Sequence, residues 1–148
     1  MLVVIDMQSN FDASKNKVTQ RNICREIISA RKKNEPVVVM EFSGCDPTLP
    51  IIKKRAQTAK AVFLKKNRDD GSAEIVSWAK RMNVPLWKIR VCGVNTAACV
   101  AATVRGLSSK LPSSEIVVVA DACNGSEGKR EGFSNFPSGK NVRVVRKV

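Results

Sequence analysis

The sequence predicts an α/β domain of three layers: a doubly wound, mostly parallel six-stranded sheet with helices on both faces. Two observations carry this. Apolar runs alternate along the chain with segments whose apolar residues recur at helical spacing. The runs are also continuously apolar, as strands buried on both faces require, where a half-exposed strand alternates with polar residues.

Leu2–Ile5 is the first such run, and it ends at Asp6. From Val18 to Lys33 the residues Ile23, Ile27, Ile28 and Ala30 fall on one helical face, with Asn34 beyond the end. Val37–Met40 follows as a strand, because Pro36 fits only at its start. Ile51–Ala59 is a short basic helix, and Ala61–Leu64 the next strand. Ser72–Met82 is helical, with Ser72 placed to cap it and Glu74 in its first turn. Ile89–Cys92 is a strand and Thr96–Leu107 a helix. The last two strands are Ile116–Ala120 and Val142–Val145, separated by a Gly-, Ser- and Pro-rich loop over 124–139 with room for one helical turn.

The length of 148 residues suits one domain, 1–148, with a core of its own. No run approaches the about 18 apolar residues of a membrane span, and the N-terminal run breaks at Asp6 without a basic leader. A cytoplasmic protein is therefore expected. The five cysteines, Cys24, Cys45, Cys92, Cys99 and Cys123, form no CxxC pair, which argues against a zinc site or a disulfide framework. Cys92 and Cys123 sit in apolar strands and are expected to be buried as small apolar residues.

Two totals narrow the chemistry. The chain has no histidine, which excludes histidine-based triads and histidine metal ligands. Its 26 basic residues against 13 acidic ones leave a formal charge of +13, a field that favours anionic partners.

In a doubly wound sheet, ligands bind at the carboxyl ends of the strands. The residues there are Asp6, then Cys45 and Asp46, then Lys65 and Lys66, then Gly93 to Cys99, then Asp121. An acid, an amine and a thiol thus converge on one edge. Cys99 falls in the first turn of its helix, where free N–H groups favour a thiolate and could hold an oxyanion. Asp6, ending a buried strand, needs a partner and could serve as the base. Taken locally, Cys99 fits equally well as an apolar residue facing the sheet, and Asp6 as a turn aspartate.

Two stretches together remove that ambiguity. Asp6, Gln8 and Phe11 match D-x-Q-x-x-F at the end of an apolar strand, and Gly93, Val94, Thr96, Cys99 and Val100 match G-V-x-T-x-x-C-V without a gap. With the later strand ending at Asp121, the chain resembles the isochorismatase-like cysteine hydrolases, which include nicotinamidases, isochorismatases and carbamoyl amidohydrolases. The resemblance runs from residue 2 to about 123 and implies their Rossmann-like sheet.

It further implies a catalytic triad of Asp6, Lys66 and Cys99, with Lys65 the alternative for the lysine. Asn95, Gln8, Phe11 and Thr96 would line the oxyanion and substrate sites. The family pattern places a cis peptide at Val94–Asn95, turning the Asn95 amide toward that of Cys99. No cofactor and no metal is expected, since the nicotinamidase metal needs histidines after the second strand. The segment from Phe42 to Ala61 is short for the family, and Arg68-Asp69-Asp70-Gly71 stands where an aromatic often follows the lysine.

The function expected on these grounds is hydrolysis of a C–N bond in a small, anionic amide or carbamoyl compound. Cys99 is then expected to alkylate below the pH of a free thiol near 8.5. An isochorismatase-type vinyl ether hydrolase, needing the acid and lysine without the thiol, is the alternative. A non-catalytic basic module for nucleic acid or an acidic partner is a third, resting on the charge, the basic run 51–68 and the tail 129–148; few aromatics and no recognisable motif speak against it. A homo-oligomer acting on a small-molecule substrate, with no membrane partner, completes the expectation.

Overall fold

Four helices pack in pairs on the two faces of a six-stranded, all-parallel sheet in the computed structural model, which describes residues 1–126, 131–134 and 136–146. The strands are β1 (Leu2–Ile5), β2 (Val37–Phe42), β3 (Val62–Lys66), β4 (Lys88–Val94), β5 (Glu115–Asn124) and β6 (Val142–Val145). They lie in the order β3-β2-β1-β4-β5-β6, every neighbouring pair parallel. Where part of the sheet could have run antiparallel, it does not. The order reverses between β1 and β4, so the crevice of this doubly wound sheet opens above their carboxyl ends.

The helices are α1 (Lys17–Lys32), α2 (Pro50–Thr58), α3 (Ser72–Arg81) and α4 (Ala101–Lys110). α1 packs beside α2, and α3 beside α4. Their boundaries follow from local chemistry. The Asn16 side chain accepts from the Thr19 amide at 3.0 Å to start α1, and Asn34 takes a left-handed φ of 54° to end it. Pro50 opens α2 at the position where a missing N–H costs nothing.

The core runs through β1, β2 and β4, whose apolar side chains are almost wholly excluded from water. Cys92 of β4 and Cys123 of β5 are buried as expected. Arg90 of β4 is a buried charge, and it reaches Glu26 of α1 and, at 2.7 Å, Glu35 beyond it. No helix among the described residues is long and apolar enough to cross a membrane.

Several elements depart from the sequence expectation. Ser72 does not cap α3; it is the first helical residue, and its amide donates to Asp70 Oδ1 at 2.8 Å. The helix expected from Thr96 begins as a π-helical turn over Thr96–Val100 and continues as α4 to Lys110. β3 extends two residues further than its apolar run, taking in Lys65 and Lys66. β5, expected to end at Ala120, runs on to Asn124, the first residue of the expected loop, and the helical turn expected within that loop is a 3-10 turn over Glu131–Phe133. Residues 127–130 and 135 of that loop, and the tail's last two residues, lie outside the described part.

Candidate active site

Three strand ends bring Asp6, Lys66 and Cys99 together. Asp6 follows β1 with a φ of 52°, a left-handed conformation that aspartate tolerates better than most residues. Its amide donates to Met40 O at 3.0 Å, which ties the end of β1 to β2. The carboxylate is wholly buried. Lys66 Nζ lies 2.9 Å from Asp6 Oδ2, and both side chains are fully excluded from solvent.

Strand parity separates the two lysines. Successive side chains of β3 point to opposite faces, and Lys65 faces solvent whereas Lys66 is buried. Lys66 Nζ also donates to Arg68 O at 3.2 Å and Asp69 O at 3.1 Å, and sits 4.7 Å from the centre of the Phe42 ring. The amine is therefore held from four sides, by one carboxylate, two carbonyls and a ring face.

Cys99 arrives from β4 through a tight turn. Gly93 has a φ of 132°, and a Cβ placed on it would lie 2.2 Å from Ile5 O. Only glycine lets β4 come this close to β1. Asn95 then adopts a left-handed φ of 61°, and its carbonyl accepts from the amides of Ala98 and Val100. The Val94–Asn95 peptide is trans, as are all the described peptides, which corrects the expected cis bond.

The charges around Cys99 set its protonation. Burial, then the neighbouring Asp6 carboxylate, push the thiol up to about 12, and the Lys66 ammonium offsets this only in part. Cys99 therefore rests as a thiol, against the expectation of a thiolate favoured by the helix start. Two carboxylates and burial outweigh the partial charge of one helical turn. Burial raises the Asp6 carboxyl as well, opposed by its bonds to Cys99 and Lys66. A more basic carboxylate beside a protonated thiol is the arrangement of a base and its nucleophile.

The remaining expected residues divide. Phe11 stands edge-on to Phe42, ring centres 6.4 Å apart, and extends the aromatic wall over Lys66. Thr96 is fully buried, and its hydroxyl has no hydrogen-bond partner among the described residues. Gln8 is placed differently from the expectation. Its amide donates to Phe42 O at 3.1 Å and Asp46 O at 2.7 Å, and accepts from the Phe42 amide at 2.7 Å. With 1% exposure it clamps the loop after β1 to the end of β2, and both of its amide protons are taken by backbone carbonyls.

The residues after β2 do not fit a nicotinamidase-type metal. They offer Cys45 and Asp46 without a histidine, and the Asp46 carboxylate already accepts from Ser9 Oγ at 2.5 Å.

One residue of the site escaped the sequence reading. Cys99 Sγ donates to Asp69 Oδ1 at 3.6 Å. The loop carrying Asp69 is pinned from three sides. Thr103 of α4 donates to Asp69 O at 3.3 Å and accepts from the Gly71 amide at 3.1 Å, while Lys66 holds the Asp69 carbonyl. Gly106 leaves room for the turn, since a Cβ there would lie 2.5 Å from Asp70 Oδ2.

The chain's positive charge is not concentrated here. Among the described residues the groups acting on Cys99 are Asp6, Asp69 and one ammonium, that of Lys66. Exposed basic residues on α1 and α2 include Lys17, Arg21, Arg25, Arg31, Lys53, Lys54 and Arg55, and Lys65 and Arg68 are exposed beside Lys66.

Comparison with known proteins bears on the family and the fold. The isochorismatase domain family model matches residues 1–135. An N-carbamoylsarcosine amidase from Thermoplasma acidophilum superposes with a TM-score of 0.77 at 18% identity, over 98% of this chain and 94% of its own. A nicotinamidase/pyrazinamidase from Bacillus subtilis gives 0.76 at 15% identity, over 97% of each chain. An octameric hydrolase of unknown specificity from Escherichia coli gives 0.75 at 14% identity, over 97% of this chain and 74% of its own. No curated protein matches the chain in sequence.

Proposed function

The chain belongs to the isochorismatase family of hydrolases, and from that premise we propose that it cleaves the C–N bond of a small amide or carbamoyl compound through Asp6, Lys66 and Cys99. The observation that carries this reading is the wholly buried Asp6–Lys66 pair, at 2.9 Å, beside the Cys99 thiol. A buried ion pair is weak evidence for stability, so its place at the strand ends calls for a chemical reason.

In the proposed reaction Asp6 takes the Cys99 proton as the sulfur forms a bond to the carbonyl carbon. Amides at the start of the Thr96–Val100 turn, that of Cys99 among them, receive the oxyanion. As the C–N bond breaks, the proton passes from Asp6 to the leaving nitrogen. Water then attacks the thioester, giving a proton to Asp6, and the acid leaves as the sulfur is reprotonated. Lys66 keeps Asp6 ionised enough to act and fixes its orientation. Phe11 and Phe42 wall the substrate side. The protein works as a homo-oligomer, as the octameric relative of the same fold does.

A second reading, hydrolysis of a vinyl ether, is favoured by one observation: the thiol rests protonated, and the Asp6–Lys66 pair is complete without it. The test is a panel of primary amides, carbamoyl acids and isochorismate, assayed with wild type and Cys99→Ala. Amide turnover that disappears in the variant supports the first reading. Vinyl ether turnover that survives it replaces the first with the second.

A further inference from the structure

The loop between β3 and α3 puts a second carboxylate at the nucleophile, and the proposed mechanism has no use for it. Asp69 Oδ1 is 3.6 Å from Cys99 Sγ, while the side chain itself is exposed to solvent. Asp69 thus touches the thiol with one carboxylate oxygen and is itself open to solvent. Its position is not a matter of loop drift. The Asp69 carbonyl accepts from Lys66 and from Thr103, the next amides are held by Thr103 and by the Asp70 carboxylate, and Gly71 packs against the Lys66 stem, where a Cβ would lie 3.0 Å from Cδ. The same lysine that holds Asp6 thus holds the backbone of Asp69.

We propose that Asp69 is a specificity-determining residue, selecting neutral or cationic amides with a free N–H and turning away substrates that carry a carboxylate near the scissile carbon. When a substrate displaces the thiol hydrogen bond, the Asp69 oxygen is left facing the group attached to the carbonyl carbon. An amide N–H satisfies it as a charge-assisted donor. A carboxylate there meets like charge, which no donor relieves. This reverses the anionic substrate expected from the net charge of the chain. A total charge describes the far field, whereas selection at the sulfur depends on the groups within a few ångströms of it.

The substrate class rests on the amidase reading, so the test includes a measurement that needs no turnover. The rate of Cys99 modification, followed by peptide mapping, is measured with three methanethiosulfonates that are cationic, neutral and anionic, each normalised to its rate with a free thiol. Wild type is expected to react fastest with the cationic reagent and slowest with the anionic one. Asp69→Asn is expected to shrink the cation-to-anion ratio about tenfold, corresponding to about 1.4 kcal/mol. Glu115→Gln, which removes the same charge at the opposite end of the sheet, is expected to leave the ratio unchanged. A ratio that Asp69→Asn does not alter, one that Glu115→Gln alters equally, or equal resistance to all three reagents overturns the proposal.

Turnover gives the second arm. β-Alaninamide, butyramide and succinamate differ in one terminal group, an ammonium, a methyl or a carboxylate, and the first two are expected to be the better substrates, with Asp69→Asn narrowing the spread through KM. If no amide is turned over, the amidase reading fails while the labelling ratio still decides the role of Asp69.

Discussion

Lys66 Nζ and Asp6 Oδ2 lie 2.9 Å apart with no solvent access to either side chain. The two ends of this pair are not equally provided for. Lys66 has two carbonyls and a ring besides its carboxylate, whereas the Asp6 oxygens have the ammonium and the Cys99 thiol in place of a full set of well-directed donors.

Removing Lys66 is therefore expected to harm the fold more than removing the Asp6 charge. Lys66→Met leaves a buried carboxylate alone, at a cost of about 3–5 kcal/mol. Asp6→Asn is expected to cost far less, and the double variant to recover most of the loss. All three are expected to be inactive. Urea unfolding of the four proteins checks the cycle, and additive single effects would falsify the unequal pair.

The pH dependence of stability has a definite sign. Burial raises the Asp6 carboxyl above its ordinary 3.8. Between the ordinary and the raised value the folded protein binds the proton and the unfolded chain does not. This contribution is therefore fully present below 3.8 and is lost as pH rises through the raised value. Measured from acid to neutral pH, the difference in unfolding free energy between Asp6→Asn and wild type is expected to grow in favour of the variant. A difference that is flat with pH contradicts the raised carboxyl.

Activity is expected to rise with pH on the acid side as Asp6 ionises. Asp69 adds to the raising of Asp6. Asp69→Asn is accordingly expected to move that limb to lower pH. The profile of kcat/KM for both proteins is the measurement, and an unmoved limb counts against the coupling.

Cys99 is expected to alkylate slowly. With its thiol pushed up to about 12, iodoacetamide at about pH 8 should label it roughly a hundredfold more slowly than a free thiol, after allowing for the greater nucleophilicity of a basic thiolate. Half-exposed Cys45 should react first. Asp6→Asn removes the charge that raises the thiol and is expected to speed Cys99 labelling. Mass-spectrometric mapping of the sites over time settles the order.

Gly93 and Gly44 offer a controlled comparison, since both have positive φ. Gly93→Ala drives a Cβ to within 2.2 Å of Ile5 O and is expected to cost about 3 kcal/mol together with the activity. Gly44→Ala meets nothing within 4 Å and is expected to cost only the backbone strain, about 1 kcal/mol. Thermal unfolding of the two variants tests the difference.

Much of this was legible before the structure because burial leaves a plain signature. A strand covered on both faces is apolar throughout, and an acid or a thiol at its end stands out. Asp6 and Cys99 were found in this way. The choice between Lys65 and Lys66 was harder, because the apolar run stops at Leu64 while the strand runs on through Lys66. Asp69 was missed because Arg68-Asp69-Asp70-Gly71 has the composition of an ordinary solvated turn. Its place depends on Thr103 and Gly106, some thirty residues later, and no local pattern reports such a contact. Gln8 misled for the opposite reason: a motif position shows that an amide is needed, not which partners use it up.

The buried Arg90 has an effect on the outside of the molecule. Arg90 draws Glu26, the one acid within α1, inward, so that the exposed charged residues of α1 and α2 are all basic. Two copies approaching through that surface repel one another beyond contact range, with a reach of about 10 Å in dilute salt. A pairing of two copies through α1 and α2 is therefore opposed by charge, and salt is expected to relieve that opposition.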